Sequence, residues 1–329
     1  MKGKVLVTLR ADSHSIPEMK KYLENEGFEI KQADVSRMGE SDLTEQAKDC
    51  TAVIAGAETW TGAMFEQLPK LKCIMKSGAG LDAIDIVTAT KCGVAIANTP
   101  GQNSHAVADM TASMILSILR QNIKYDSIVR NKKWSEMRGK AQLCHELSAM
   151  TVGLLGFGAI ARRVAEILSG FGCRFIAYDV NPDQEAAQKL NVELLTFEEV
   201  IRQSDILSLH VPLTEETRNC INEKTLSMMK PTAMIVNTCR GGVICEQDLC
   251  AALKNGVIQA AALDVFTIEP IENDNPLLTL ENVQFTPHMA TATFEAMENM
   301  YMACAKQTIQ FFDGEAVPYI VNPDYVKYL

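Results

Sequence analysis

An apolar, strand-like run, Val152-Gly153-Leu154-Leu155, leads straight into Gly156-Phe157-Gly158-Ala159-Ile160-Ala161, and a helical pattern follows. Few folds accept such a turn. Gly156 permits the sharp reversal, Gly158 lets the backbone approach a pyrophosphate, and the small Ala161 allows the helix to pack on the strand. The helix N-terminus then offers amides and a partial positive charge to phosphates. Gly156, Phe157, Gly158, Ala159 and Ile160 are therefore assigned to dinucleotide binding. Asp179 closes the next strand, Phe175-Ile176-Ala177-Tyr178. It lies about 20 residues beyond the glycines, where a carboxylate accepts the ribose hydroxyls and repels a 2′-phosphate. NAD is the expected cofactor rather than NADP. Arg162 and Arg163 are read as solvated.

Around this turn the chain alternates short β-branched runs with amphipathic stretches. That pattern predicts α/β architecture: two doubly wound parallel-sheet domains, the larger a dinucleotide-binding (Rossmann) domain. Strands are expected at 5–9, 28–32, 52–55, 73–76 and 94–97, with helices at 16–26, 42–49 and 84–91. Ser104 is a candidate N-cap for a helix over 105–120. Its apolar residues run around most of the circumference, which implies burial, in part by another subunit. The polar stretch 121–142, with Trp134, reads as an extended arm. Six further strands are expected at 152–155, 174–178, 206–210, 233–237, 260–264 and 283–285. The helices between them start near 159, 184, 197, 222 and 246, and a final helix covers 293–312 before an extended tail.

Composition narrows the function classes. With 47% apolar residues the chain can bury a core, and a net charge of −10 disfavours nucleic acid as a partner. No apolar run reaches the roughly 18 residues that span a bilayer, and residues 4–9 begin a strand rather than a signal peptide. Ten scattered cysteines with no CxxC pair read as reduced thiols. The expectation is a cytoplasmic protein with neither metal site nor membrane contact.

Reduction of a keto group needs a proton donor and a grip on the acid group. Of the five histidines (His14, His105, His145, His210 and His288), only His210 and His288 fall at the C-terminal ends of sheet strands. His210-Val211-Pro212 suits backbone contact with the cofactor. Arg240 closes its strand just before Gly241-Gly242, where a guanidinium could hold a carboxylate bidentately. Glu269 follows Asp264-Val265-Phe266, and a carboxylate beside a histidine stabilises the imidazolium.

Six runs occur in order: Asn98-Thr99-Pro100-Gly101, the glycine turn, His210-Val211-Pro212-Leu213-Thr214, Asn237-Thr238-Cys239-Arg240-Gly241-Gly242, Leu263-Asp264-Val265-Phe266 with Glu269-Pro270, and Thr286-Pro287-His288. Together they resemble the D-isomer-specific 2-hydroxyacid dehydrogenases, from about residue 50 to Asn322-Pro323. The resemblance implies that Arg240 binds the substrate carboxylate and carbonyl, that His288 exchanges the proton, and that Glu269 pairs with it. It implies cofactor contacts from Asp264, Thr217, Thr238, Cys239 and 210–212, with Arg240 and His288 also beside the cofactor. The backbone at Ser77, Gly78, Ala79 and Gly80 would reach the substrate carboxylate. A discontinuous substrate domain, 1–101 plus 294–329, is implied beside an NAD-binding domain, 102–293. A homodimer would be gripped through the helix and arm at about 104–147.

Among relatives, the 77–85, Asn103-Ser104 and 263–269 runs look most like phosphoglycerate dehydrogenases, here as a short form without their C-terminal regulatory domain. Those enzymes tend to carry a base near 56–61, where this chain reads Gly56-Ala57-Glu58-Thr59-Trp60-Thr61. Phosphoglycerate and general 2-ketoacids, glyoxylate and hydroxypyruvate among them, stand as alternative substrates. Trp60 could pack on a bulkier ketoacid or simply fill its domain. A different class of function, an NAD-sensing corepressor-like scaffold, would leave Arg240, Glu269 and His288 without work.

Overall fold

Side chains on a strand alternate between faces, so a buried parallel sheet must show apolar residues on both. The computed structural model, which describes residues 2–9, 15–137 and 143–329, contains two such sheets in two units. The first unit takes residues 1–103 and 292–329, the second 104–291.

In chain order the elements begin with β1 (Gly3–Val7), α1 (Ser15–Asn25), β2 (Phe28–Gln32), α2 (Glu40–Ala47), β3 (Ala52–Ala55), α3 (Gly62–Glu66), β4 (Cys73–Lys76), α4 (Ile86–Lys91) and β5 (Ala95–Asn98). The second unit runs through α5 (Ser104–Leu119), α6 (Asn122–Arg130), β6 (Thr151–Leu155), α7 (Ala159–Leu168), β7 (Arg174–Tyr178), α8 (Gln184–Lys189), β8 (Val192–Leu194), α9 (Phe197–Gln203), β9 (Ile206–Leu209), α10 (Glu223–Met228), β10 (Met234–Asn237), α11 (Glu246–Lys254), β11 (Ala260–Leu263) and β12 (Val283–Phe285). The last helix, α12 (Phe294–Asp313), returns to the first unit and ends at Gly314 with φ +75°.

The first sheet has strand order β2-β1-β3-β4-β5, all parallel. Val5 and Val7 face a core shared with α1 and α12, whereas Leu6 faces the opposite core with α2, α3 and α4. The tail is tied to this sheet by Asn322. Its Oδ1 accepts the Ile96 N–H at 2.7 Å, and its Nδ2 donates to Thr90 and Val94.

The second sheet has order β12-β11-β10-β9-β6-β7-β8, again parallel. Val152 and Leu154 face α5 and α7, and Leu155 faces the other core with α9, α10 and α11. Strand order reverses between β6 and β9, the position at which such sheets open a crevice at their C-terminal ends.

Four expectations need correction. The sheet has a seventh strand, β8, whose three residues carry one buried apolar side chain and too little pattern to be recognised. The five-residue α3 went unseen for the same reason. The stretch 121–142 is not extended: Gln121 turns at φ +53° into α6, and a 3-10 turn covers Trp134–Met137, while 138–142 lie outside the described residues. The tail ends in a 3-10 turn, Pro323–Tyr328. The apolar circumference of α5 also has an explanation within its own unit. Ala108, Ala112, Met114, Ile115, Ile118 and Leu119 are buried in the core shared with α7. Among the described residues, no helix is long and apolar enough to cross a membrane, and no group of three metal-ligating side chains occurs.

Candidate active site

The glycine turn has the geometry its sequence demands. Gly156 sits at φ +92°, and a Cβ there would lie 2.6 Å from the His210 carbonyl oxygen. A Cβ on Gly158 would meet nothing within 4 Å, so its absence leaves space rather than packing. Gly158 starts α7 with no side-chain cap, which leaves the amides of Ala159 and Ile160 to an incoming anion. Asp179 closes the edge of this cradle: its Oδ2 accepts the Phe157 N–H at 2.7 Å and its Oδ1 the Asn181 N–H at 2.8 Å. The open cradle at Gly158, the uncapped helix and the adjoining carboxylate fit a dinucleotide. Arg162 and Arg163 are not simply solvated. Arg162 donates to the Phe157 carbonyl, pairs with Asp183 at 2.9 Å and lies over the Phe157 ring, and Arg163 pairs with Glu166.

Three residues of the second unit form a proton-transfer set. His288 follows β12, and its Nδ1 stands 2.6 Å from Glu269 Oε2. The other Glu269 oxygen accepts the Phe266 N–H at 2.9 Å. Burial works against ionisation of Glu269. The hydrogen bonds from His288 and Phe266, with the charges of His288 and Arg240, outweigh it and hold the carboxyl below the usual range. Arg240 follows β10, its Nη1 donating to the Cys239 carbonyl at 2.6 Å. The C-terminal ends of β10 and β12 and the loop after β11 thus bring Arg240, His288 and Glu269 together.

Side chains that sequence reasoning left without a role hold this set in place. Asn237 accepts the Cys239 N–H and donates to the Arg240 carbonyl, locking the turn under the guanidinium. Gly241 lies so close to the Phe266–Thr267 peptide that a Cβ would come within 1.9 Å of the Phe266 carbonyl carbon. Glu246 accepts from the Thr267 N–H and from Asn275, clamping the loop that carries Glu269. The Asn at a strand end was a legible signal for a side-chain-to-backbone turn; the close approach at Gly241 was not.

Other assigned residues take particular places. His210 packs with Ser208 at 2.9 Å, and burial pushes its pKa down to about 3. A neutral His210 donates no proton at working pH, which leaves His288 as the strand-end histidine able to act as the acid. Val211 lies beside the Gly156 turn. Thr217 donates to the Pro212 carbonyl and accepts the Thr214 N–H, so it shapes its own loop. The Thr238 hydroxyl is paired with that of Thr111 on α5 at 2.8 Å, and burial pushes the Cys239 thiol up to about 11. Asp264 was expected against the cofactor. Its carboxylate is fully buried and accepts from Thr286, Met289 and Ala290.

In the first unit, Ser77 continues the β4 ladder onto the Ala55 carbonyl, and Gly78 turns at φ +101° with its N–H on Thr99 Oγ1. Asn98 donates to the Ala79 carbonyl. Gly80 follows at the end of this turn. Lys76, which ends β4, donates to the Ser77 carbonyl at 2.8 Å, a base the sequence reading passed over. Trp60 is fully buried beside Phe65, so it fills its own core rather than facing a ligand.

The family model for the D-isomer specific 2-hydroxyacid dehydrogenase NAD binding domain matches residues 112–290. A glyoxylate reductase of Korarchaeum cryptofilum is 36% identical over 329 residues, covering 99% of this chain and 98% of that protein. A glyoxylate reductase structure from Paecilomyes thermophila superposes with a TM-score of 0.85 at 28% identity, covering 97% and 98% of the two chains. The NAD-complexed D-isomer specific 2-hydroxyacid dehydrogenase of Lactobacillus delbrueckii ssp. bulgaricus gives 0.78 at 26%, covering 97% and 99%.

Proposed function

Since the chain belongs to the D-isomer specific 2-hydroxyacid dehydrogenases, an NAD-dependent oxidoreductase family, we propose that it reduces a small 2-ketoacid of the glyoxylate or hydroxypyruvate kind. The observation that carries this reading is the 2.6 Å His288–Glu269 pair beside Arg240. The names of the relatives support the small ketoacid. So does a 56–61 loop without a base for a phosphate. On this reading 104–291 holds the cofactor, and 1–103 with 292–329, through the 77–80 backbone, contributes to substrate binding.

NADH, when bound, supplies the hydride to the carbonyl carbon. Gly156–Ile160 and Asp179 would hold its pyrophosphate and ribose. Arg240 grips the ketoacid carboxylate and polarises the adjoining carbonyl. His288, as imidazolium, gives its proton to the developing alkoxide. Because Nδ1 is engaged by Glu269, that proton leaves from Nε2. Glu269 keeps the ring oriented and its charge compensated.

NADH oxidation should be followed with glyoxylate, hydroxypyruvate, 3-phosphohydroxypyruvate, pyruvate and branched 2-ketoacids. The expected order puts glyoxylate and hydroxypyruvate first. A clear preference for the phosphorylated acid would reverse the substrate assignment and give Lys76 a role as its cation. No turnover with any acid, despite tight NADH binding, would favour the scaffold reading.

Cofactor choice follows from Asp179. NADH should exceed NADPH in kcat/KM by at least about tenfold, roughly 1.4 kcal/mol. Asp179→Ala should narrow that ratio by weakening NADH binding, and equal rates with both cofactors in the parent enzyme would refute the assignment.

The chain is also assigned as a homodimer. The support is no longer α5 but the exposed apolar side chains beyond it: Ile123 at 53%, Val129 at 50% and Trp134 at 68% relative exposure. Light scattering at micromolar concentration should return twice the chain mass, and Trp134→Glu should lower it.

A further inference from the structure

His288 has φ +52°, a left-handed conformation that a side chain larger than glycine adopts only where its surroundings dictate it. The His288 N–H is shared between the main-chain oxygens of Asp264 at 2.8 Å and Thr286 at 3.1 Å, and its ring meets Glu269. Asp264 is fully buried. Its Oδ1 accepts the Thr286 hydroxyl at 2.6 Å and the Met289 N–H at 2.9 Å, and its Oδ2 accepts the Ala290 N–H at 3.0 Å. The Asp264 N–H donates in turn to the Asn237 carbonyl. Asn237 also holds the Arg240 turn. The His288 loop and the Arg240 turn are thus referenced to the same two strand ends.

Among the described residues, only Thr286 donates to the Asp264 carboxylate through a side chain. Two of the three hydrogen bonds come from main-chain amides and survive any substitution; the third is the shortest and lies on the entry to the loop, two residues before His288. We propose that Thr286 is a positioning residue for proton transfer: its hydroxyl, anchored on Asp264, fixes the direction from which His288 meets the substrate oxygen. This assignment rests on the reading of His288 as the proton donor. Thr286 touches no reacting atom in that scheme. Its hydroxyl acts by holding the turn against relaxation to an ordinary backbone conformation, which would swing the imidazole and loosen the Glu269 pair.

The test compares Thr286→Val, Thr286→Ala and Thr286→Ser in the full-length protein. Steady-state kinetics with the best ketoacid of the panel, NADH titration by fluorescence and thermal melting are measured on each. Without the hydroxyl, kcat should fall roughly 10- to 100-fold, the scale at which a displacement of about 1 Å in a reacting group is felt. The ketoacid KM and the NADH Kd should stay within about twofold of the parent, because Arg240 and the glycine turn are untouched. Thr286→Ser, which restores the donor, should recover most of kcat. Unchanged kcat in Thr286→Val, or a serine variant no better than alanine, overturns the proposal. A parallel loss of NADH affinity, or variants lacking a cooperative melt, would assign the hydroxyl to cofactor binding or to the fold and overturn it as well. His288→Ala is the control on the underlying reading: if that variant keeps its kcat, the proton-donor assignment fails independently of the Thr286 result.

Discussion

Replacing His288 by alanine should lower kcat for ketoacid reduction by roughly 100- to 10,000-fold, the range over which a positioned acid contributes. NADH affinity should barely change, since the glycine turn and Asp179 bind without the imidazole. The split follows from when each interaction is made. His288 matters as negative charge develops on the carbonyl oxygen, so its loss appears in kcat. Arg240 meets the substrate carboxylate before reaction and the oxygen during it, so Arg240→Ala should damage KM and kcat together. Arg240→Lys should recover little, because a point charge does not reproduce a planar two-pronged donor. His210, held neutral by burial, has no means to take over. Near-normal turnover in His288→Ala would therefore send the search for the acid away from both strand-end histidines.

How far this site could be read in the sequence depends on the range of the interactions involved. The glycine turn is local: a strand, two glycines, a small residue and a helix lie within ten positions. Each has a reason that needs no knowledge of the rest of the chain. Apart from β8, the strands of both sheets were legible because buried parallel strands are apolar on both faces. Arg240, Glu269 and His288 could be marked as strand-end residues, and the family resemblance gave their roles. Asp264 shows where that stops. Nothing in Leu263-Asp264-Val265 reveals that the carboxylate accepts from Thr286, Met289 and Ala290, because these partners lie 22 to 26 positions away. Gly241 is similar: its need for glycine comes from a peptide 25 residues on. The α5 helix shows another limit of the sequence. An apolar circumference can be covered by a second subunit or by the chain's own sheet, and the sequence does not say which.

Glu269→Gln should move the alkaline limb of the kcat profile for reduction to lower pH. The carboxyl is held below the usual range by the hydrogen bonds from His288 and Phe266 and by the His288 and Arg240 charges, against the effect of burial, so at working pH it is charged. An amide keeps the size and still accepts the Phe266 N–H, but it carries no charge to compensate an imidazolium 2.6 Å away. Reduction requires the imidazolium. The interaction with His288 that lowers Glu269 is reciprocal, and without it activity falls earlier as pH rises. A displacement of one pH unit corresponds to about 1.4 kcal/mol of lost interaction. Oxidation of the hydroxyacid requires the neutral ring, so its acidic limb should move in the same direction, and oxidation should gain relative to reduction on the acidic side. Stability carries an independent sign. A carboxyl held below its unfolded value adds stability at neutral pH that is lost as pH falls through the folded value. The glutamine variant lacks that contribution, so its Tm should fall less on acidification than that of the parent. Limbs that stay where they are in both directions would mean that Glu269 does not set the proton on His288, whatever the distance between them.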